Sequence, residues 1–294
     1  MRKPKTAWGL SRQTEARYDK ALTDFKAYLL KALDGASTPA DISRRLALVR
    51  SSPEFIHFTN LSAQNMAKQV YRESGIQWRR LAQQAQTARG RAIYQALQRE
   101  VGTGAINEAI NKIVRENAQL IQTIPDRLDK EMVSLMAKDT AFAGLRPDAM
   151  MKELRSRFDH LLDWQLKRIA RTECSKAYTA LTEARARSLG LGFYYWLSAR
   201  DGERVRAGHR LMDGVLVSWD EPPNPELLVG EPHNKRPYQV RHDAYHAGNI
   251  WNCRCVPLPV LGLDDISWPQ KIYWQGRIQS VGRKTFEKIF TLRR

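Results

Sequence analysis

Acidic side chains and cysteines are what this 294-residue chain is short of. Its 31 Asp and Glu stand against 48 Lys and Arg, a formal net charge of +17. Such a surplus is far from the solubility optimum of a free cytosolic enzyme and points to a polyanionic partner, nucleic acid first. Three cysteines, two of them only two residues apart, build no disulfide framework, so a reducing cytoplasm is expected. The basic start, Met1 to Thr6, leads into no apolar signal core, and no stretch approaches the roughly 18 apolar residues of a membrane span. Neither export nor membrane contact is therefore expected. Also missing are a nucleophile elbow, a phosphate-cradling glycine loop, an H-E-x-x-H helix and paired carboxylates at a diagnostic spacing. Hydrophobic residues, in contrast, make up 43% of the chain, which excludes wholesale disorder, and the length suffices for two domains.

From residue 11 to 190 the apolar residues recur at helical spacing and no strand is expected. Residues 1–10 read as a loose basic arm. Ala21, Leu22, Phe25, Leu29 and Leu33 stripe a first helix closed by Gly35. Thr38-Pro39-Ala40-Asp41 opens a second, with a hydroxyl cap, a proline where its missing N–H is harmless and an early acid. Ser52-Pro53-Glu54 repeats the device. Ser74-Gly75 reads as a break, with a polar helix continuing to Arg99 whose Arg79, Arg80, Arg89, Arg91 and Arg99 form a solvated face, with a DNA-facing patch as the alternative. Helices follow up to Pro125 and after it, and Met150 to Leu189 reads as two more, ended by Gly190-Leu191-Gly192. His57 and His160 are expected as core-edge residues on helices.

The chemistry collects between Trp196 and Cys255. Asp201-Gly202 and Asp213-Gly214 are turn dipeptides, flanked by strand-like Phe193 to Leu197 and Val215 to Trp219. Asp220 to Pro225 is too proline-rich for a central strand, and residues 226–252 read as loop rather than core. Cys253 to Pro259 reads as a final edge strand, on which Cys253 and Cys255 would project from one face. With His209, His242 and His246 these thiols offer the donors of a tetrahedral zinc, against the alternative of buried thiols and histidines bonded to loop carbonyls. Residues 262–294 read as a basic tail in which Lys271, Arg277, Arg283, Lys284, Lys288, Arg293 and Arg294 alternate with Trp268, Tyr273, Trp274 and Phe286. Such a tail suits phosphate contact with stacking, or an acidic protein surface.

The order Trp196, Asp201, Arg204, Arg206, His209, Asp213-Gly214, a proline-rich loop, then Gly248, Cys253-Arg254-Cys255 and Pro257 resembles the carboxy-terminal domain of phage Mu F-like head morphogenesis proteins, or minor capsid proteins. Arg168-Ile169-Ala170-Arg171-Thr172-Glu173 and the segment Asn117 to Pro125 extend the resemblance over roughly residues 55 to 261. The fold expected is α+β: a helical region over 11–149, a small turn-rich module over 150–261 with short antiparallel strands, and the tail. The resemblance implies an internal head protein that meets the portal protein, the major capsid protein and packaged double-stranded DNA. It would sit in the virion inside the capsid, after assembly in the host cytoplasm. Arg171, Glu173, Asp201, Arg204, Arg206, His209 and Asp213 match the family pattern and are expected to form a structural polar network. A metal-dependent hydrolase or nuclease, with His209 beside Asp213, is the alternative. A delivered toxin is a third, disfavoured by the short stretch after the module.

Overall fold

The computed structural model describes residues 8–100, 104–138, 145–199, 205–229 and 243–291. Asp201, Arg204, His242, Arg293 and Arg294 lie outside them. The fold is α+β, as expected, and divides into two compact units that do not follow chain order. One comprises residues 11–69 and 110–174; the other comprises 1–10, 70–109 and 175–294.

The first unit is helical throughout its described residues. It holds α1 (Arg12–Ala32), α2 (Pro39–Ser51), α6 (Ile124–Lys138) and parts of α3 (Pro53–Gln84), α5 (Gly104–Gln122) and α7 (Pro147–Ser188). The expected caps are in place: the Thr38 hydroxyl accepts from Asp41 N–H with Pro39 in the first turn, and the Ser52 hydroxyl from Phe55 N–H; the Ser11 hydroxyl, not foreseen as a cap, accepts from Thr14 N–H. Leu22, Phe25 and Leu29 are buried at three-to-four spacing, and Phe25 stacks on Phe55 at 5.1 Å. Asn117, which opens the Asn-Ala-x-Leu-Ile segment, is buried and accepts from the Tyr18 hydroxyl at 2.9 Å. His57 and His160 are exposed, not at the core edge, because each falls on the outer stripe of its helix.

Two helix boundaries differ from expectation. The helix α3 runs unbroken through Ser74-Gly75, and the break comes later, at Gln86 with φ +51°, before α4 (Ala88–Gln98). Gly75 is a notch: a Cβ there would lie 3.4 Å from the Arg185 guanidinium, and Ser74 accepts from that guanidinium at 2.6 Å. The second difference is α7, a single 42-residue helix rather than two. Between Asp148 and Leu189 the sequence holds neither Gly nor Pro, so nothing ends it. Gly190, at φ +65°, then closes it with Leu191 N–H donating to Ala186 carbonyl.

The second unit is built on a five-stranded sheet of order β3-β1-β2-β4-β5, formed by β1 (Phe193–Leu197), β2 (Leu216–Ser218), β3 (Val256–Pro259), β4 (Gln270–Trp274) and β5 (Arg277–Val281). All pairs are antiparallel except β2 with β4. Strand β1 alternates across the sheet: Tyr194 and Trp196 join a cluster with Trp78, Ile93, Leu97 and Trp219, while Tyr195 joins Leu258, Ile272 and Phe286 on the other face. Phe286 belongs to α9 (Arg283–Thr291), so the stretch expected as a tail supplies two strands and the helix that covers the second face. Its aromatics are core: Phe286 and Tyr273 are buried, and Trp268 packs 5.1 Å from Phe286. A sheet with two apolar faces has to cover both. Residues 8 and 9 are likewise held, not loose. Trp8 donates its indole N–H to Pro257 on the sheet edge at 2.8 Å, and Gly9 exchanges two hydrogen bonds with Gln77.

Candidate metal centre

Three elements bring the donors together. The first is a five-residue helix, α8 (Ala207–Leu211), which carries His209. The second is the turn before β3, with Asn252 at φ +57° and Cys253 and Cys255 buried. The cysteines therefore precede the strand, yet both thiols converge as a strand would have placed them. The third, a 3-10 turn Pro225–Leu228, carries Glu226. It lies so close to α8 that a Cβ on Gly208 would sit 2.2 Å from the Pro225 carbonyl oxygen, and only glycine fits. Gly248, at φ +85°, lets the cysteine-bearing loop approach α7, where the Thr179 hydroxyl donates to Ala247 carbonyl at 2.6 Å. Residues 245–248 and Ile250 are thus buried, where loop was expected, because this bond and the glycine let irregular backbone lie on a helix.

His209 Nδ1 lies 3.6 Å from Cys253 Sγ and 3.4 Å from Cys255 Sγ. Its Nε2 is 2.8 Å from the Tyr245 hydroxyl, and that hydroxyl donates to the Glu226 carboxylate at 2.6 and 2.7 Å. Because the Tyr245 proton is committed to Glu226, its oxygen accepts from His209 Nε2–H. The Nδ1 lone pair then faces the two sulfurs. Contact with the neighbouring Cys255 thiol pulls Cys253 below its ordinary value, and contact with Cys253 together with burial holds Cys255 above its own. Among the described residues, His209, Cys253 and Cys255 are the set able to hold a metal.

His246 stands apart from them. Its Nδ1 accepts from the Tyr194 hydroxyl at 3.1 Å, its ring lies against Trp219, and burial holds its pKa below the ordinary 6.5. With a further hydrogen bond to the Trp219 backbone, both ring nitrogens are engaged and neither reaches the thiols. Asp213 accepts from Ser198 N–H at 2.9 Å, and Arg206 donates to Trp251 carbonyl at 2.9 Å, so both fasten turns. Arg171 pairs with Glu15 at 3.2 Å within the helical unit, where Glu173 is buried. Of the tail cations, Lys271, Arg277, Lys284 and Lys288 are exposed, while Arg283 pairs with Asp264 and Glu287, each at 2.8 Å. Sequence reasoning missed Glu226 and Tyr245. Tyr245 adjoins His246, which is a weak signal, and Glu226 sits in a segment that reads as surface loop.

Short strands, α8 and a cysteine loop fastened by buried polar side chains define a small loop-stapled α+β module. Residues 133–258, which contain the whole His-Cys-Cys set, match the family described as "Phage Mu protein F like protein", so that stretch is similar to the members of that family. The chain is also 32% identical, over 160 residues, to a Haemophilus influenzae protein described as uncharacterized. That match covers 53% of this chain and 30% of the relative's length. No solved structure matches the chain.

Proposed function

We propose that this chain is a head morphogenesis protein of a tailed phage, a structural and interaction component rather than a catalyst. The observation that carries the reading is the family match over residues 133–258. The geometry supports a fastening role for the module: His209 has one nitrogen on Tyr245 and the other toward the thiols, and Asp213 binds backbone rather than His209. In this reading the chain works inside the head, in contact with the portal and the major capsid protein and beside packaged double-stranded DNA. Its net charge of +17 suits the last of these, since Lys and Arg near phosphates replace condensed counterions without reading sequence. Zinc on the His-Cys-Cys set is the module's staple, its donors being those the ion prefers.

Mass spectrometry of purified heads and of portal-containing assembly intermediates tests the proposal. The polypeptide is expected in one or both, and absence from both would overturn it. Incubation with supercoiled DNA tests the alternative. Nicking that is lost in a folded His209→Gln variant would replace the structural reading with a metal-dependent nuclease.

A further inference from the structure

We infer that Glu226 and Tyr245 are positioning residues of a zinc site, fixing His209 as an Nδ1 ligand, and that the Cys255 backbone amide supports the Cys253 thiolate. The inference rests on the zinc reading above and adds how the module builds the site before the ion arrives.

The tautomer comes first. An isolated imidazole takes its proton on either nitrogen, and only the unprotonated one binds a metal. Here the buried Glu226 carboxylate takes the Tyr245 proton, and the Tyr245 oxygen takes the Nε2–H, leaving Nδ1 free on the side of the sulfurs. A carboxylate that acts on a metal-ligating histidine through its second ring nitrogen raises its basicity and fixes its ring.

Distances agree. Ligands at ordinary Zn–S and Zn–N lengths that subtend a tetrahedral angle lie roughly 3.5 Å apart. The two N···S separations are 3.6 and 3.4 Å. Nδ1 has a single in-plane lone pair, so it does not accept well from two thiols at once. A cation between the three atoms satisfies all of them.

One sulfur also has a backbone donor: Cys255 N–H donates to Cys253 Sγ at 3.3 Å. N–H groups aimed at sulfur favour thiolate over thiol. Zn²⁺ with two thiolates and one neutral imidazole carries no net charge, which removes the cost of burying the ions separately. His209, Cys253 and Cys255 supply three of the four tetrahedral positions.

The full chain, purified from zinc-supplemented medium, is assayed for zinc per chain and titrated against a competing chelator, with X-ray absorption to read the donor atoms. One zinc per chain with two sulfurs is expected, and Cys253→Ser abolishes the two-sulfur signature. Tyr245→Phe, which keeps the ring, and Glu226→Gln are expected to lower zinc affinity about 10–100-fold. Nitrogen NMR of labelled histidine in the metal-free chain is expected to place the His209 proton on Nε2, and Tyr245→Phe to loosen that preference. If the wild type takes up no zinc, or carries a Cys253–Cys255 disulfide instead, the zinc reading itself falls. If it binds zinc through these ligands and both variants stay within twofold in affinity, the zinc reading stands and the positioning roles are overturned.

Discussion

Among the described residues the least exposed charged side chain is Arg185, 1% exposed, whose guanidinium pairs with Glu100 at 2.9 Å, bonds to Ser74 and lies over the Tyr71 ring. A buried pair broken from one side leaves an uncompensated charge. Glu100→Gln is therefore expected to lower unfolding stability by about 3–5 kcal/mol, read in urea titrations. His246 sets a pH dependence. Its pKa lies below the ordinary 6.5, chiefly through burial, so the unfolded chain takes up the proton first as pH falls. Its contribution is complete above about pH 6.5 and declines as pH drops from there to the folded-state pKa. Urea midpoints are expected to fall over that window in the wild type and less steeply in His246→Gln. Neither feature was legible in the sequence: Arg185 is one of many arginines on a long helix, and its acid is 85 positions away.

At the scale of elements, the helical half was read closely because its cues are local. Thr38, Pro39 and Ser52 stand where helix starts need them, and periodicity marked the buried stripes. One misjudged boundary came from a glycine whose role is tertiary. Gly75 makes room for Arg185 inside an intact helix. Gly208 and Gly248 make room for neighbouring backbone and side chains at the candidate metal centre. Gly208→Ala is expected to cost about 1–3 kcal/mol, because the Pro225 backbone has to move, and to weaken metal binding by displacing Glu226. Thermal unfolding and chelator competition check the two effects. The last helix makes the complementary test: Phe286→Ala is expected to cost about 3–5 kcal/mol, since its ring is 1% exposed against Phe193 and Trp268. A change below about 1 kcal/mol would return residues 283–291 to the status of a tail.

For the whole molecule, the +17 charge makes the prediction. Binding to double-stranded DNA is expected to be indifferent to sequence and to weaken steeply with salt. Each phosphate neutralised contributes a slope of about −0.9 in log affinity against log salt. Fluorescence anisotropy across a salt series measures it. A flat dependence would remove DNA from the partners and leave acidic protein surfaces. Among the described helices none is long and apolar enough to cross a membrane, which agrees with the low content of long apolar runs.

By itself the sequence determined the α+β class, the capped helix starts at Thr38 and Ser52 and the strand at Phe193 to Leu197, because capping and periodicity are written in nearby residues. It offered His209, Cys253 and Cys255 only within a larger set of donors that also held His242 and His246. Only the tertiary structure decided that His246 turns to Tyr194, that Glu226 and Tyr245 stand behind His209, and that the basic C-terminal stretch covers a sheet face. Those outcomes depend on which segments, far apart in the chain, compete for the same buried space and the same hydrogen-bond partners, and no local pattern encodes that competition.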